Sequence, residues 1–170
     1  MEMSSVLAYN DVAFLLVGES KPDLDYRKTV DAIRPQLQAL QAVWFMEEEL
    51  AEAAETPVSA EEQALLRTLQ KETNCQDAST IIFTSGTTAQ PKGVLLSHYG
   101  ILNDARSVAL GMHWSESDIM ALAMPMFHCS GLTCGVMIGM CDQMPTVILR
   151  YFSPRVVMAA IEKYRCTVFN

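Results

Sequence analysis

The sequence predicts an α/β fold in which a mostly parallel sheet is flanked by helices. Short apolar segments alternate with segments of helical periodicity, and turn residues separate the two kinds of segment. No internal repeat or low-complexity linker interrupts this alternation. The chain has 170 residues, of which 50% are hydrophobic and 8% aromatic, and that is enough to bury one core. We therefore expect residues 1–170 to form one globular unit.

The first part of the chain contains two predicted strands with a helix between them. Residues 12–17 form a continuous apolar run closed by Gly18, which is typical of a strand buried on both faces of a parallel sheet. Asp25 is placed to cap the helix that follows, and Pro35 is expected to break that helix. Residues 43–45 are predicted as a second, short strand.

Residues 47–70 are predicted to form an acidic helical segment on the surface. The formal net charge is -8, and residues 47–66 contain seven Glu without a Lys or Arg. Ser59 and Glu62 have the spacing of a capping box. Three leucines give the same segment an apolar face: Leu65, Leu66 and Leu69. Because the acidity is local, the rest of the chain remains suited to a polyphosphate ligand.

The second part of the chain repeats the alternation of strands and helices. Strands are predicted at residues 78–83, 119–124, 146–149 and 167–169. Helices are predicted at residues 97–110, after Gly131, and from Pro154 to Tyr164 with Ser153 as the N-cap. Because the chain begins in a helix-like segment and stops at a strand start, we interpret it as a piece of a longer protein, with a small self-contained domain as the alternative.

Composition and cysteine spacing exclude several classes of function. No basic run is present that could follow a nucleic-acid backbone, so nucleic-acid binding is not expected. Five Cys without a CxxC pair indicate a reducing, cytoplasmic location. Cys129, Cys134 and Cys141 beside His128 fit no common zinc spacing, so no metal bound by protein sulfur is expected. The apolar run at 129–141 is too short for a transmembrane segment.

The segment that carries the most reactive and polar groups is residues 84–93, which is predicted as a poorly ordered loop at the carboxyl end of the strand at residues 78–83. It reads Thr84, Ser85, Gly86, Thr87, Thr88, Ala89, Gln90, Pro91, Lys92 and Gly93. Its four hydroxyls can donate hydrogen bonds, its Gly86 lets backbone N–H groups approach a ligand, and Lys92 adds a positive charge. These features favour a polyphosphate ligand, although composition alone also allows a Thr-rich surface loop. The flanking Pro91 and Gly93 exclude a Walker loop.

A second candidate segment, Pro-Met-Phe-His-Cys-Ser-Gly at residues 125–131, follows the strand at 119–124. Met126, Phe127, His128 and Cys129 would form a largely apolar wall. His128 on its own would more often be a structural histidine. The segment lies directly after a predicted strand and some thirty residues beyond the first segment.

Residues 84–93 resemble the phosphate-binding signature of the adenylate-forming, or AMP-binding, superfamily. They match the family pattern Thr-Ser-Gly-Thr-Thr-Gly-x-Pro-Lys-Gly except that Ala89 replaces the usual Gly, which restricts the backbone there. Residues 125–131 are similar to the family's Pro-x-Phe-His-x-x-Gly segment beside the carboxylate pocket, and they lie where the resemblance requires them. The resemblance therefore implies that Phe127, His128 and Gly131 border the substrate pocket, and the apolar wall there suits a fatty or aromatic carboxylic acid. The lack of an acidic residue near this segment indicates the acyl-CoA ligase branch rather than amino-acid activation. The resemblance implies a partial piece of the larger N-terminal domain of acyl-CoA synthetase-like enzymes.

The resemblance also implies a reaction of fatty acid metabolism that uses ATP, Mg²⁺ and coenzyme A. A carboxylate would attack the α-phosphate of ATP, pyrophosphate would leave, and the thiol of coenzyme A would then displace AMP. Residues 84–93 would hold the β- and γ-phosphates with Mg²⁺, the latter through Thr84, while His128 would shape the pocket or contact the carboxylate. Both segments should line one cleft, because attack requires a separation of about 3–3.5 Å.

The isolated chain is expected to be an incomplete and inactive enzyme. The family's segments for adenine and ribose and its second Lys do not occur before Asn170. The alternative is a non-catalytic nucleotide-binding or interaction module derived from the same family. An uncovered sheet edge at residues 167–169 should also make the chain prone to self-association.

Overall fold

The computed structural model describes residues 3–18, 24–46, 49, 51–84 and 92–170. Contacts divide the chain into two compact units, Met1–Gln70 and Lys71–Asn170. The single globular unit over residues 1–170 stays a prediction. Strands and helices alternate as expected, and three of the four described strand pairings are parallel. The prediction of a mostly parallel α/β fold is therefore confirmed, with the strands distributed over three small sheets.

The first unit is built around a pair of parallel strands. Its elements are α1 (Met3–Tyr9), β1 (Phe14–Val17), α2 (Tyr26–Ile33), β2 (Ala42–Phe45), α3 (Ala51–Glu55) and most of α4 (Ala60–Glu72). β1 pairs with β2 from Phe14 opposite Ala42 to Val17 opposite Phe45. Both predicted strands of this part of the chain are confirmed.

Both predicted ends of α2 are also confirmed. The Asp25 carboxylate accepts a hydrogen bond of 3.1 Å from the backbone N–H of Lys28, and this bond holds the pKa of Asp25 below its usual value. Pro35 lies in a 3₁₀ turn, Arg34–Gln36, that directly follows the last residue of α2. The Pro ring cannot donate a backbone hydrogen bond, so the α-helix ends before it.

The prediction that the β1 strand is buried on both faces is wrong. Phe14 and Leu16 are 56% and 59% exposed, whereas Val17 is buried. Within the described part of the chain, β2 is the sole strand beside β1 and no helix covers the face that carries Phe14. Phe14 instead stacks on the ring of Trp44 at 5.5 Å. The continuous apolar run therefore predicted the strand correctly, but it did not show whether another element packs against the second face of that strand.

The acidic segment forms two helices, α3 and α4, where one was expected. Pro57 lies between them and cannot donate a hydrogen bond, so the first helix cannot continue. The second helix starts with the predicted capping box. The Ser59 N–H donates to Glu62 Oε2 at 2.8 Å, and the Glu62 N–H donates to Ser59 Oγ at 3.2 Å. The Ser59 hydroxyl also lowers the pKa of Glu62.

The helix α4 lies on the surface, as predicted for residues 47–70. Its apolar face is exposed to solvent in the structure, with Leu65, Leu66 and Leu69 each more than half exposed. None of the thirteen residues of α4 is buried. The predicted apolar face is present, but no described residue covers it.

The second unit contains a hairpin and a three-stranded parallel sheet. Its elements are β3 (Ala78–Thr84), β4 (Lys92–Ser97), α5 (His98–Gly111), β5 (Met120–Leu122), α6 (Cys129–Gly131), a π-helical turn (Leu132–Met137), α7 (Ile138–Cys141), β6 (Thr146–Ile148), α8 (Pro154–Tyr164) and β7 (Val168–Phe169). β3 and β4 pair antiparallel, and the parallel sheet has the order β6-β5-β7. Each strand and helix predicted in this part is confirmed, with shifted ends. No described helix is long and apolar enough to cross a membrane.

The core of the second unit forms where α5, the π-helical turn and α7 meet β5. Its buried members are Ala105, Ala109, Met120, Leu122, Ile138, Met144 and Val168. All three residues of β5 are buried. Because β5 lies between β6 and β7, it pairs on both edges. The segment at residues 125–131 follows this strand in the chain.

The start of α8 agrees only in part with its prediction. Ser153 occupies the N-cap and Pro154 the first helical position, as expected. The Ser153 side chain makes no capping hydrogen bond, so the expected capping contact is wrong. Pro154 has no backbone N–H, so the first turn of α8 contains one donor fewer that needs a hydrogen-bond partner.

The start of β7 is fixed by Thr167. Its hydroxyl donates to Asp118 Oδ1 at 2.8 Å and accepts from the backbone N–H of Ile119 at 3.0 Å. Asp118 also accepts from the backbone N–H of Ser115. The Thr167 hydroxyl is the main reason that the pKa of Asp118 lies below its usual value. One side chain thus joins the start of β7 to the start of β5.

Replacing Thr167 by Val should raise the pKa of Asp118 toward its ordinary value. A lowered pKa stabilises the folded state above the unfolded pKa of about 3.9, and this contribution disappears as the pH falls through the lower folded value. At pH 7, Thr167→Val should therefore have a lower Tm than wild type, partly because this contribution is lost. That part of the Tm difference should vanish in acid. Titration of the Asp118 carboxyl by NMR checks the shift. Thr167→Ser keeps the hydroxyl and should behave like wild type, and an unchanged Asp118 titration in Thr167→Val would contradict the assignment.

Candidate functional site

The ends of the predicted phosphate-binding segment lie in the β3–β4 hairpin. Thr84 is the last residue of β3, and Lys92 and Gly93 are the first two residues of β4. The prediction of one loop over residues 84–93 is therefore wrong at both ends, because Thr84 and Gly93 continue the strand ladder. Residues 85–91 (Ser85, Gly86, Thr87, Thr88, Ala89, Gln90 and Pro91) lie outside the described residues. The position of Thr84 at the carboxyl end of a strand is as predicted.

The hairpin brings a hydroxyl and a cation together. Thr84 is paired directly with Lys92, and directly opposite residues of an antiparallel ladder carry their side chains on the same face. Their Cβ atoms are then about 4.5–5.5 Å apart. Both residues are exposed. The structure therefore places Thr84 and Lys92 next to each other on one face of the ladder, at the two ends of the segment 85–91.

Gly93 is needed for packing within the same hairpin. A Cβ atom at this position would lie 3.1 Å from Ile81 Cγ2 and 3.4 Å from the ring of Phe83. The neighbouring side chains would have to move by a few tenths of an ångström to admit it. The glycine that ends the sequence motif thus leaves room for two apolar side chains of β3 to pack over β4.

The second candidate segment, residues 125–131, leaves the carboxyl end of β5 and turns into α6. The His128 N–H donates to the Pro125 C=O at 3.1 Å, and the Leu132 N–H donates to the His128 C=O at 2.8 Å. Gly131 is buried, and a Cβ atom on it would lie only 2.2 Å from the Pro125 carbonyl oxygen. This close approach gives the physical reason for Gly at the end of the motif.

Phe127 and His128 are both exposed and lie next to each other. Phe127 is 79% exposed, and its ring centroid lies 5.3 Å from that of His128. Phe127 lines a pocket of about 440 Å³ at the carboxyl ends of β5 and β6. Its large apolar lining residues are Met124, Met126, Phe127, Ile148, Leu149, Tyr151 and Phe152, and Arg150 also lines it. Met126 and Phe127 belong to the predicted apolar wall, whereas His128 and Cys129 are not among the lining residues of this pocket.

Sequence reasoning missed Tyr151 and Phe152. They directly follow the predicted strand at 146–149, and the carboxyl ends of neighbouring parallel strands meet at one edge of a sheet. That rule could have placed the two aromatic residues beside Phe127. The strand order was the missing information, because only the pairing of β5 with β6 makes the two segments neighbours.

The shared cleft of the two candidate segments stays a prediction. The described residues that line the pocket beside Phe127 come from the segments after β5 and β6. Thr84 and Lys92 are at the end of the hairpin, and the residues between them lie outside the described part of the chain.

The cysteines near His128 lie in different surroundings. Cys129 and Cys141 are exposed, whereas Cys134 is half-buried against the core, and burial raises the pKa of its thiol. Among the residues that the structure describes, no three His, Cys, Asp or Glu side chains stand close enough together to hold a metal ion.

Comparison with known proteins agrees with the two motifs. The whole chain, residues 1–170, matches the family model described as AMP-binding enzyme. The chain belongs to this family. It is 38% identical over 113 residues to the medium-chain acyl-CoA ligase ACSF2, mitochondrial, of Danio rerio, a match that covers 64% of this chain and 18% of the relative. The resemblance to the adenylate-forming superfamily is thereby confirmed.

Solved structures of similar fold are roughly two and a half to three times as long as the chain. The N-terminal domain of FACL13 from Mycobacterium tuberculosis superposes with a TM-score of 0.77 at 24% identity, covering 98% of this chain and 39% of that one. ATP-bound MatB from Rhodopseudomonas palustris gives a TM-score of 0.73 at 19% identity, covering 99% and 31%. The fold is that of acyl-CoA ligase N-terminal domains, and the chain spans well under half the length of these proteins.

Substitution of Gly131 by Ala should destabilise the second unit. Gly131 has helical backbone angles, so Ala alone would favour the helix by up to about 1 kcal/mol. The contact with the Pro125 carbonyl reverses the sign, because backbone atoms cannot rotate away, and overpacking of this kind costs about 1–3 kcal/mol. Urea denaturation measures the difference. Gly111→Ala is the matched control, since open space surrounds Gly111 and the same change should be neutral or stabilising there. Equal stability of the two variants would contradict this account.

Proposed function

We propose that this chain is the phosphate-binding part of an enzyme that activates a fatty or aromatic carboxylic acid with ATP. The acid would become an acyl-adenylate and then a thioester of coenzyme A in the longer protein. The observation that carries the proposal is the side-by-side placement of Thr84 and Lys92 at the base of a segment rich in hydroxyls and Gly. The family membership supports it, as does the name of the Danio rerio relative.

The described residues fit a polyphosphate. Lys92 is exposed and carries a positive charge, and the Thr84 hydroxyl beside it can donate to a phosphate oxygen or offer its oxygen to Mg²⁺. Bound Mg²⁺ would supply charge neutralisation between the phosphates. In the proposal, residues 84–93 together hold the β- and γ-phosphates of ATP.

The carboxylic acid is proposed to bind against Phe127. The pocket beside this residue is lined mainly by Met, Ile, Leu and aromatic side chains, which favour an apolar acyl chain, and also by Arg150, whose positive charge suits a carboxylate. A carboxylate is already ionised at neutral pH, so the first step needs no general base. The exposed His128 next to Phe127 is then proposed to contact and orient the carboxylate rather than to remove a proton.

A non-catalytic nucleotide-binding or interaction module remains the second candidate. The exposed apolar residues of α4 and the free edge of β7 favour it, because both are surfaces through which one chain can bind another. Pyrophosphate release separates the two candidates, since a binding module holds ATP without cleaving it.

Replacing Lys92 by Ala should weaken the binding of ATP with Mg²⁺ about tenfold or more. A charged hydrogen bond to phosphate contributes about 1.5–3 kcal/mol, and Ala removes it without touching the strand ladder. Chemical-shift titration by NMR measures the affinity. Lys71→Ala removes an equal charge from α4 and should leave ATP affinity unchanged. Equal affinities in the two variants would overturn the phosphate assignment.

The isolated chain should bind ATP only at about millimolar concentration and should not turn it over at the rate of an intact family member. Without adenine and ribose contacts, a binding free energy of about -4 kcal/mol from the phosphates alone cannot orient the α-phosphate for attack. A pyrophosphate-release assay with fatty and aromatic acids measures turnover, and size-exclusion chromatography run beside it measures self-association. Robust turnover by a monomer would contradict the proposal that the activity needs the longer protein. A cytoplasmic location stays a prediction.

A further inference from the structure

The position of the segment 125–131 is only partly determined by its own residues. The hydrogen bonds of His128 and Leu132 and the close approach at Gly131 all join residues within this segment or next to it. Such local contacts fix the internal shape of a turn. They leave open where the turn stands relative to the strands beside β5, so a contact from another strand is needed to position it.

Asn170 supplies such a contact. Its backbone N–H donates to the Ala121 C=O at 3.0 Å, and its own C=O accepts from the Ala123 N–H at 2.8 Å. These two bonds continue the pairing of β7 with β5 and hold the Asn170 backbone at the carboxyl end of the sheet. The side-chain Nδ2 then donates to the Ser130 C=O at 3.2 Å, across a sequence separation of 40 residues.

The chemistry of this contact requires an amide donor. The Ser130 carbonyl oxygen can only accept a hydrogen bond, so the atom that faces it must carry hydrogen. Asn provides such an NH₂ group on a short side chain that loses little freedom, and the bond is partly buried, where water competes less for the carbonyl. Leu has a similar size and cannot donate.

We propose that Asn170 is a positioning residue for the segment 125–131. Its amide holds Ser130 against the end of β7, and Ser130 lies two residues after His128 and three after Phe127. A shift of Ser130 therefore moves both side chains that the proposed function places against the carboxylic acid. The consequence for substrate binding depends on that proposed function, whereas the consequence for the backbone of the segment does not.

The test compares the chain with its Asn170→Leu variant by NMR hydrogen exchange. Loss of the hydrogen bond should speed exchange of the His128 and Leu132 amides about three- to tenfold. The amides of Asn170 and Ala123, which pair β7 with β5, should change much less. A purely structural role of the side chain would accelerate both sets of amides together and lower the Tm of the whole chain.

Two further variants control this comparison. Asn103→Leu removes a similar side-chain bond, from Nδ2 to the Tyr99 C=O at 2.8 Å, but within α5, and should leave the His128 amide unaffected. Asn170→Gln keeps the amide donor and should restore slow exchange at least in part. Asn170→Ser, whose side chain is too short to reach Ser130, also removes the contact and should speed exchange of the same amides, which separates loss of the hydrogen bond from a disturbance caused by the Leu side chain.

A second measurement separates this inference from the proposed function. In the presence of ATP and Mg²⁺, octanoate should bind about three- to tenfold more weakly to Asn170→Leu, while the affinity for ATP itself is unchanged. If wild type binds no octanoate, the proposed function fails and the exchange result still decides the role of Asn170. Unchanged exchange at His128 and Leu132 in Asn170→Leu would overturn the inference.

Discussion

The second unit depends on the complete burial of β5. Met120, Ala121 and Leu122 are buried, with β6 and β7 paired on either edge and α5 and the π-helical turn packed against the strand. A strand that pairs on both edges has its backbone hydrogen bonds satisfied, so its direction is fixed by many contacts at once. The chain that leaves its carboxyl end starts from a fixed point. The segment 125–131 therefore begins at a position that this strand determines.

Two glycines allow the helical run after this segment to fold back closely onto β5. Gly131 lets the turn approach the Pro125 carbonyl, and a Cβ atom at Gly135 would lie 2.6 Å from the buried Leu122 side chain. The run is π-helical between Leu132 and Met137, a local widening that occurs often near functional sites. The same packing that buries β5 therefore also sets the path of the chain that carries Phe127 and His128.

The sequence was sufficient for features whose cause is local. The cap at Asp25, the capping box at Ser59 and the stop at Pro35 each depend on a few neighbouring residues, and each is present as predicted. The exposure of Phe14 could not be predicted in this way, because it depends on what covers the strand rather than on the strand itself.

The same limit applies to the candidate site. The motif residues could be named from the sequence, but the contribution of Tyr151 and Phe152 to the pocket follows from the pairing of β5 with β6, and the contact of Asn170 follows from the pairing of β5 with β7. Neither pairing has a signal in any single segment. Contacts between residues far apart in sequence are determined by the strand order, which a pattern of apolar residues does not specify.

The proposed chemistry requires accurate positions more than shifted protonation equilibria. Because the attacking carboxylate is already ionised, rate must come from holding it in line with a phosphate whose charge is neutralised. A site of this kind is built from groups that fix backbone positions and from fixed charges. In the described residues these are the ladder pair of Thr84 with Lys92, the close approach at Gly131, and the amide of Asn170 on Ser130. A glycine and an amide remote from the reacting atoms can therefore matter as much to such a site as the histidine beside them, because an error of about 1 Å in placement can cost a hundredfold in rate.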